Sequence, residues 1–387
     1  MSKVSSFEHP KQVMKIVTWN HDSQKEWIVA NSNWKDALCE SLGQYIGILV
    51  KKDIPDAHLL QDIVEQASTS SFSRVLMAPS VSSRIMWKQP KDETVKYLLN
   101  CFAVEAYREG DHSIKIPEYG ELWSALGDYY ISRLPSSLML MDLERGGWSR
   151  QHSEQELAIY SAPYVGNFFP LDTCSPEGVR GDGLSENNQE VHECELEFQE
   201  VITLQGLLEE ALEGIRKVDL NIFHFVLAHT KALSLRTSNS CGFGSSSALT
   251  HFGRMTFINP QQTDVFILME SLVHEAVHSL IYSYEVRDWW MRPERQNKVH
   301  IRSPWSGNML PLHSYVHACF VWYALWQFWS LALTRSVFPV NMVEERLIKC
   351  GAGFFSTSIS KPLQEWAEIL SPGIIEICNE MQSKIVS

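Results

Sequence analysis

The chain has no C-x-x-C pair, no run of Lys or Arg, and no apolar leader at its start. Each absence removes a class of protein. The 8 Cys are scattered, so reduced buried thiols are expected rather than a zinc ribbon or a disulfide frame. With 33 Lys and Arg against 46 Asp and Glu, the formal charge is −13. Such a surface suits phosphate backbones poorly, and nucleic acid is not an expected partner. Met1 to Lys15 is polar without an apolar core, so no secretory signal is expected and the setting is cytoplasmic. No internal repeat or low-complexity tract is visible. The most apolar segment, Tyr315 to Leu333, holds His317, Gln327 and Ser330 and is rich in Trp and Phe. It reads as a buried core helix, with no membrane partner implied.

What remains is ordinary globular material. At 387 residues the chain can bury a large core, as two domains or one large one. A hydrophobic share of 44% and an aromatic share of 11% argue against disorder. Apolar spacing predicts helices over Asp56 to Ala67 and Asp92 to Tyr107, and residues 1–162 look mainly helical. Pro163 to Gln189, dense in Pro, Gly, Ser and Asn, reads as a long loop, a linker or lid. Glu195 to Lys217 is an amphipathic helix with Leu204, Leu207, Leu208, Ala211 and Ile215 on one side. Ala232 to Arg236 and Arg254 to Ile258 alternate like strands, separated by the Gly/Ser-rich stretch Thr237 to Ser247, a second candidate lid. Asn259-Pro260 offers a helix cap with Pro at the first helical position. The expected class is α+β: predominantly helical, with one small antiparallel sheet beside a two-helix metal site. Residues 190–387 are the expected metal-binding region.

His274-Glu275-Ala276-Val277-His278 is the word that carries chemistry. It lies in the apolar stretch Val265 to Ile281, long enough for a helix. Residues four apart share a helix face, so both imidazoles can reach one metal ion. A random chain of this composition would contain such a word about 0.04 times. A catalytic metal needs a third ligand. The metzincin continuation is absent, because Ile281 and Tyr284 stand where Gly and His are required. Asp288 and Glu294 have the right chemistry without a helical context. His313 and His317 are better placed, four apart on an otherwise apolar helix. A single buried His is often satisfied by a backbone carbonyl; a pair downstream of a metal word favours ligation.

Three neutral imidazoles suit Zn(II) or Fe(II). Tetrahedral zinc keeps one open position for water. Six-coordinate iron keeps three, enough for a bidentate 2-oxo acid and dioxygen. Arg302, in His300-Ile301-Arg302-Ser303-Pro304-Trp305, could clamp the distal carboxylate of such an acid, although a lone Arg in a polar loop is more often a solvated charge. Glu275 would be the general base of a peptidase, or would orient a ligand or substrate in an oxygenase. His152-Ser153-Glu154 is an H-x-E of the cupin kind, but its flanks lack the strands that fold needs.

The run Leu272 to Ile281, then Arg302-Ser303-Pro304-Trp305-Ser306-Gly307, then Leu310-Pro311-Leu312-His313-Ser314, resembles the HEXXH motif domain found near, or fused to, radical-SAM peptide-maturation enzymes. Arg74 to Pro79 and Glu210 to Arg216 resemble further stretches of it, so the likeness runs from about residue 70 to residue 330. The resemblance implies an iron(II)/2-oxoglutarate-dependent oxygenase, unrelated in fold to cupins, that uses O2 to hydroxylate an unactivated carbon. The β-carbon of an amino acid or peptide residue is the expected target. It implies His274, His278 and His313 as metal ligands, with His317 the second choice to His313, and a cosubstrate role for Arg302. The chain has no radical-SAM cysteine triplet of its own. The rival expectation is a zinc-dependent metallopeptidase with Glu275 as general base; a third is a non-catalytic scaffold.

Overall fold

The computed structural model describes residues 8–86, 91–111, 120–133, 135–153, 156–180, 196–239, 241–251, 253–291 and 298–387. Among the described residues, six helices come first: α1 (Glu8–Ile16), α2 (Ser23–Lys51), α3 (Ala57–Gln66), α4 (Thr69–Leu76), α5 (Pro79–Met86) and α6 (Lys91–Arg108). Strands β1 (Glu121–Trp123) and β2 (Tyr129–Ser132), helix α7 (Ser137–Arg145), and strands β3 (Ser149–Gln151) and β4 (Ala158–Ser161) follow. Next come β5 (Tyr164–Val165), β6 (Phe169–Asp172), α8 (Pro176–Arg180), α9 (Phe198–Val218) and α10 (Leu220–His229). Strands β7 (Ala232–Arg236), β8 (Gly244–Ser247) and β9 (Arg254–Ile258) precede α11 (Val265–Glu285). The chain ends with β10 (His300–Arg302), β11 (Met309–Pro311), α12 (Leu312–Thr334), α13 (Val340–Ser356), α14 (Lys361–Gln364) and α15 (Ile374–Val386).

The class is α+β, dominated by helices, with no closed barrel among the described residues. Where a single small antiparallel sheet was expected, the described residues hold three: a four-stranded sheet in the order β1-β2-β4-β3, the hairpin β10-β11, and a five-stranded sheet in the order β5-β6-β7-β9-β8. The strands read from alternation, β7 and β9, are immediate neighbours, but they run parallel, Leu233 opposite Met255 and Leu235 opposite Phe257. Antiparallel β8 closes the edge. The Gly/Ser stretch expected as a lid thus includes a strand, and the Asn259 side chain ties the rest down, donating to the Ser238 and Cys241 carbonyls at 2.8 and 2.7 Å. The expected Pro163–Gln189 loop likewise contributes β5 and β6, while its residues 181–189 lie outside the described ones.

Packing divides the chain differently from the sequence expectation. One unit comprises Met1–Asn31, Leu212–His229 and Met269–Ser387; the other comprises Ser32–Ala211 and Thr230–Leu268. In the first unit α12 is apolar on all sides, so it is buried nearly all round: Val316, Phe320, Ala324, Leu325, Phe328 and Trp329 are inaccessible or nearly so. On α11, Leu272, Val273, Ala276, Val277, Leu280 and Ile281 are equally buried. Both helices are long and apolar enough to cross a membrane by length and composition, and both are mostly buried. Asp264 caps the start of α11, accepting from the Ile267 amide at 2.9 Å. Trp19 donates its indole N–H to the Ala324 carbonyl of α12 at 3.0 Å.

In the second unit a buried ion network supports the stretch Arg74–Pro79. Arg74 bonds Glu105 at 2.9 Å and Asp128 at 2.7 Å, and Arg108 reaches the other Asp128 oxygen at 3.1 Å. Burial would raise the Asp128 pKa, but the Arg108 and Arg74 guanidiniums hold it well below the usual carboxylate range.

Candidate metal centre

Helix α11 presents one stripe of chemistry: His274, His278, Tyr282 and Glu285, spaced 4, 4 and 3 residues apart. The β10-β11 hairpin delivers the chain to α12, whose first two turns carry His313 and His317. The two helices place these side chains in a continuous string. His274 Nε2 lies 3.2 Å from His278 Nε2, and His278 Nδ1 lies 3.1 Å from His317 Nδ1. His317 Nε2 is 3.0 Å from Glu285 Oε2, and His313 Nε2 is 2.8 Å from the same oxygen. Exposure falls along the string, from 30% for the His274 side chain to 1% for His317 and 0% for Glu285.

The electrostatics fix where the protons sit. Burial would raise the Glu285 pKa, but the imidazoles of His317 and His313 outweigh it and bring the value to about 2. Burial, reinforced by the neighbouring imidazoles, pushes His278 well below the ordinary histidine range. Burial and His313 lower His317 too, against the pull of Glu285. At neutral pH an anionic Glu285 therefore faces a neutral His317, with a neutral His278 behind it. Glu285 can only accept, so His313 and His317 both donate from Nε2. His317 then has a bare Nδ1, and His278 donates to it from its own Nδ1. The Nε2 of His278 is left with a lone pair, facing His274.

These residues fit a metal. Two nitrogens 3.2 Å apart, each about 2.1 Å from one ion, subtend about 100° there. Imidazole with carboxylate, and no thiolate, suits Fe(II) or Zn(II). The structure also offers an overlapping set: the donor atoms of Glu285, His313 and His317 all lie within 4.8 Å of one another, two imidazoles and one carboxylate. The two ends compete. Metal at both would leave each neutral imidazole of the His278–His317 pair with its hydrogen on Nδ1, two donors meeting at 3.1 Å.

His274 and His278 are together, as expected from their spacing. His317 is the α12 imidazole in contact with that pair; His313, the preferred third ligand, is held by Glu285 one turn earlier. Glu275 is 1% exposed, with Oε1 3.9 Å from His274 Nε2. Arg302 lies exposed on the hairpin and donates to the Gly307 carbonyl at 3.2 Å. Asp288 is half-buried past the end of α11, and Glu294 and Glu154 lie outside the described residues. Glu285 was missed, although its signal was present: it lies two turns beyond His278 on the same stripe. Trp322 was missed as well. It meets His274 edge-on, with ring centroids 6.4 Å apart, and stacks on Trp305 at 5.9 Å. Gly353 seats that pair, since a Cβ there would fall 2.3 Å from the Trp305 ring.

No protein-family model matches the chain, and no curated protein matches it.

Proposed function

We propose that the chain is a non-haem iron(II), 2-oxoglutarate-dependent oxygenase that hydroxylates an unactivated carbon of an amino acid or peptide residue. The observation that carries the reading is the string His274–His278–His317–Glu285, in which a buried carboxylate leaves a lone pair on His278 Nε2 at the open, His274 end. Catalytic metal sites keep open positions and structural sites are closed, which favours His274 and His278 over the sealed Glu285 end. Iron(II), with the keto acid and O2, would supply the oxidising power for attack on a C–H bond.

The chain's own residues have separate tasks. His274 and His278 would hold the ion. His317, made an acceptor by Glu285, keeps the His278 ring in its ligating tautomer. Trp322, backed by the Trp305 ring stacked on it, would exclude water beside His274 and give substrate an apolar surface. Arg302 is proposed for the distal carboxylate of the keto acid, which requires its exposed guanidinium to leave the Gly307 carbonyl.

A second reading is favoured by the placement of Glu275, 3.9 Å from His274 Nε2 and set to activate a metal-bound water: a zinc-dependent peptidase. One experiment separates them. The protein is purified anaerobically, loaded with iron(II) or zinc(II), and assayed for succinate formed from 2-oxoglutarate under air against a panel of amino acids and peptides. Iron-dependent, oxygen-dependent succinate supports the oxygenase. Zinc-dependent peptide cleavage without oxygen refutes it. Metal affinity of alanine variants at Glu275, His313 and His317 ranks their support of the ion, with a loss of about 10- to 100-fold expected at His317, which holds the His278 tautomer.

A further inference from the structure

The second unit contains a buried chemistry that the metal centre does not use. Cross-strand partners share a face of a sheet, and the registers Asp172–Ser234, Ser234–Thr256, Ala232–Arg254, Arg236–Ile258 and Ser246–Thr256 put six polar side chains on one face of the mixed sheet. The opposite face carries Leu171, Leu233, Leu235, Met255 and Phe257. The polar face is not a solvated one: Asp172, Ser234, Arg236, Arg254 and Thr256 are at most 2% exposed.

Two guanidiniums converge there from opposite ends of the strands. Arg254 Nη1 bonds Asp172 Oδ2 at 2.8 Å and Ser234 at 3.2 Å. Arg236 Nη1 bonds the Leu235 and Thr173 carbonyls at 2.7 and 3.4 Å. A Cβ on Gly178 would fall 2.4 Å from Asp172 Oδ2 and 2.9 Å from Arg236 Nη2, so bare backbone lies against both groups. Among the described residues, Nε and Nη2 of both arginines and the Ser246 hydroxyl have no hydrogen-bond partner. Buried guanidinium hydrogens without acceptors are costly. The pattern matters as much as the number: Nε–H and Nη2–H point the same way and form the fork that grips a carboxylate or phosphate through two parallel bonds. Nearby, Glu177 is already matched by Arg84, at 2.7 and 3.1 Å.

We propose that Arg236 and Arg254 form a buried recognition site for a small oxyanion, a carboxylate or phosphate compound, with Ser246 as an additional donor. The proposal is independent of the iron reading. Its test uses the full-length His274→Ala protein treated with EDTA, so that binding through a metal is removed. Inorganic phosphate, sulfate, succinate and 2-oxoglutarate are titrated by calorimetry and thermal melting. Saturable binding of at least one is expected, and the preferred probe separates a phosphate from a dicarboxylate source. Arg236→Gln should weaken that binding roughly tenfold or more. No saturable binding by any probe, or unchanged affinity in a folded Arg236→Gln variant, overturns the proposal and leaves ordered water as the partner of these donors. Should Arg236→Gln fail to fold, nitrogen-15 spectra of arginine-labelled protein decide. Two protected Nε–H signals that shift with the probe support the site, and signals indifferent to all four probes refute it.

Discussion

Replacing Glu285 with Gln tests the proton order of the metal centre directly. The carboxylate accepts from His313 and His317 at 2.8 and 3.0 Å and is fully buried. Both imidazoles donate to the same oxygen, and His313 also meets the other one at 3.0 Å, so an amide nitrogen at the shared position turns a donor toward both rings. His317 Nε2 must then become an acceptor and its hydrogen moves to Nδ1. His278 can then no longer donate across the 3.1 Å contact, so its own hydrogen moves to Nε2 and occupies the lone pair facing His274. Two effects follow. Metal affinity should fall about 10- to 100-fold, the usual consequence of losing a group that orients a ligand. Stability should fall by about 2–4 kcal/mol, because charge-assisted bonds of about 1.5–3 kcal/mol each are exchanged for weaker neutral ones. Competition with a chromophoric chelator measures the first, and chemical denaturation of the metal-free protein the second. Glu285→Asp, which keeps the charge on a shorter arm, should restore part of the affinity. A folded Glu285→Gln protein that binds metal as tightly as the wild type would refute the tautomer reasoning and move the ion away from the His274–His278 pair.

Other expectations can be checked with the same tools. His274→Ala should abolish metal binding at a stability cost under about 1 kcal/mol, because its side chain is 30% exposed. His317→Ala, at 1% exposure and bonded to Glu285, should cost about 2–4 kcal/mol as well as metal, so equal stability of the two variants would count against the string. Gly353→Ala should cost about 1–3 kcal/mol and alter tryptophan fluorescence, since its Cβ would fall 2.3 Å from Trp305 and push that ring off Trp322. Asp128 has a depressed folded-state pKa, so its contribution is complete above its unfolded value of about 3.9. That contribution is lost as pH falls through the folded value, and Asp128→Asn should flatten stability against pH below about 4.

The sequence by itself determined several of the local elements and the two imidazole pairs of the candidate site. Apolar spacing found α3, α6 and α9 to within a few residues, and alternation found β7 and β9 with the bounds they have in the structure. The four-residue spacings of His274 with His278 and of His313 with His317 fixed two imidazole pairs, because helix geometry alone puts such residues on one face. What local pattern could not supply was partnership between elements. Alternation is identical in parallel and antiparallel strands, so the β7-β9 direction had to come from tertiary pairing. The Asn259-Pro260 signal produced only a short 3-10 turn, with Asp264 capping α11, because the Asn259 side chain was bound to Ser238 and Cys241 instead. Periodicity likewise leaves the rotation of one helix against another undefined. Only packing decided that His317 meets His278, that His313 meets Glu285, and that a carboxylate two turns past the metal word governs the hydrogens of both.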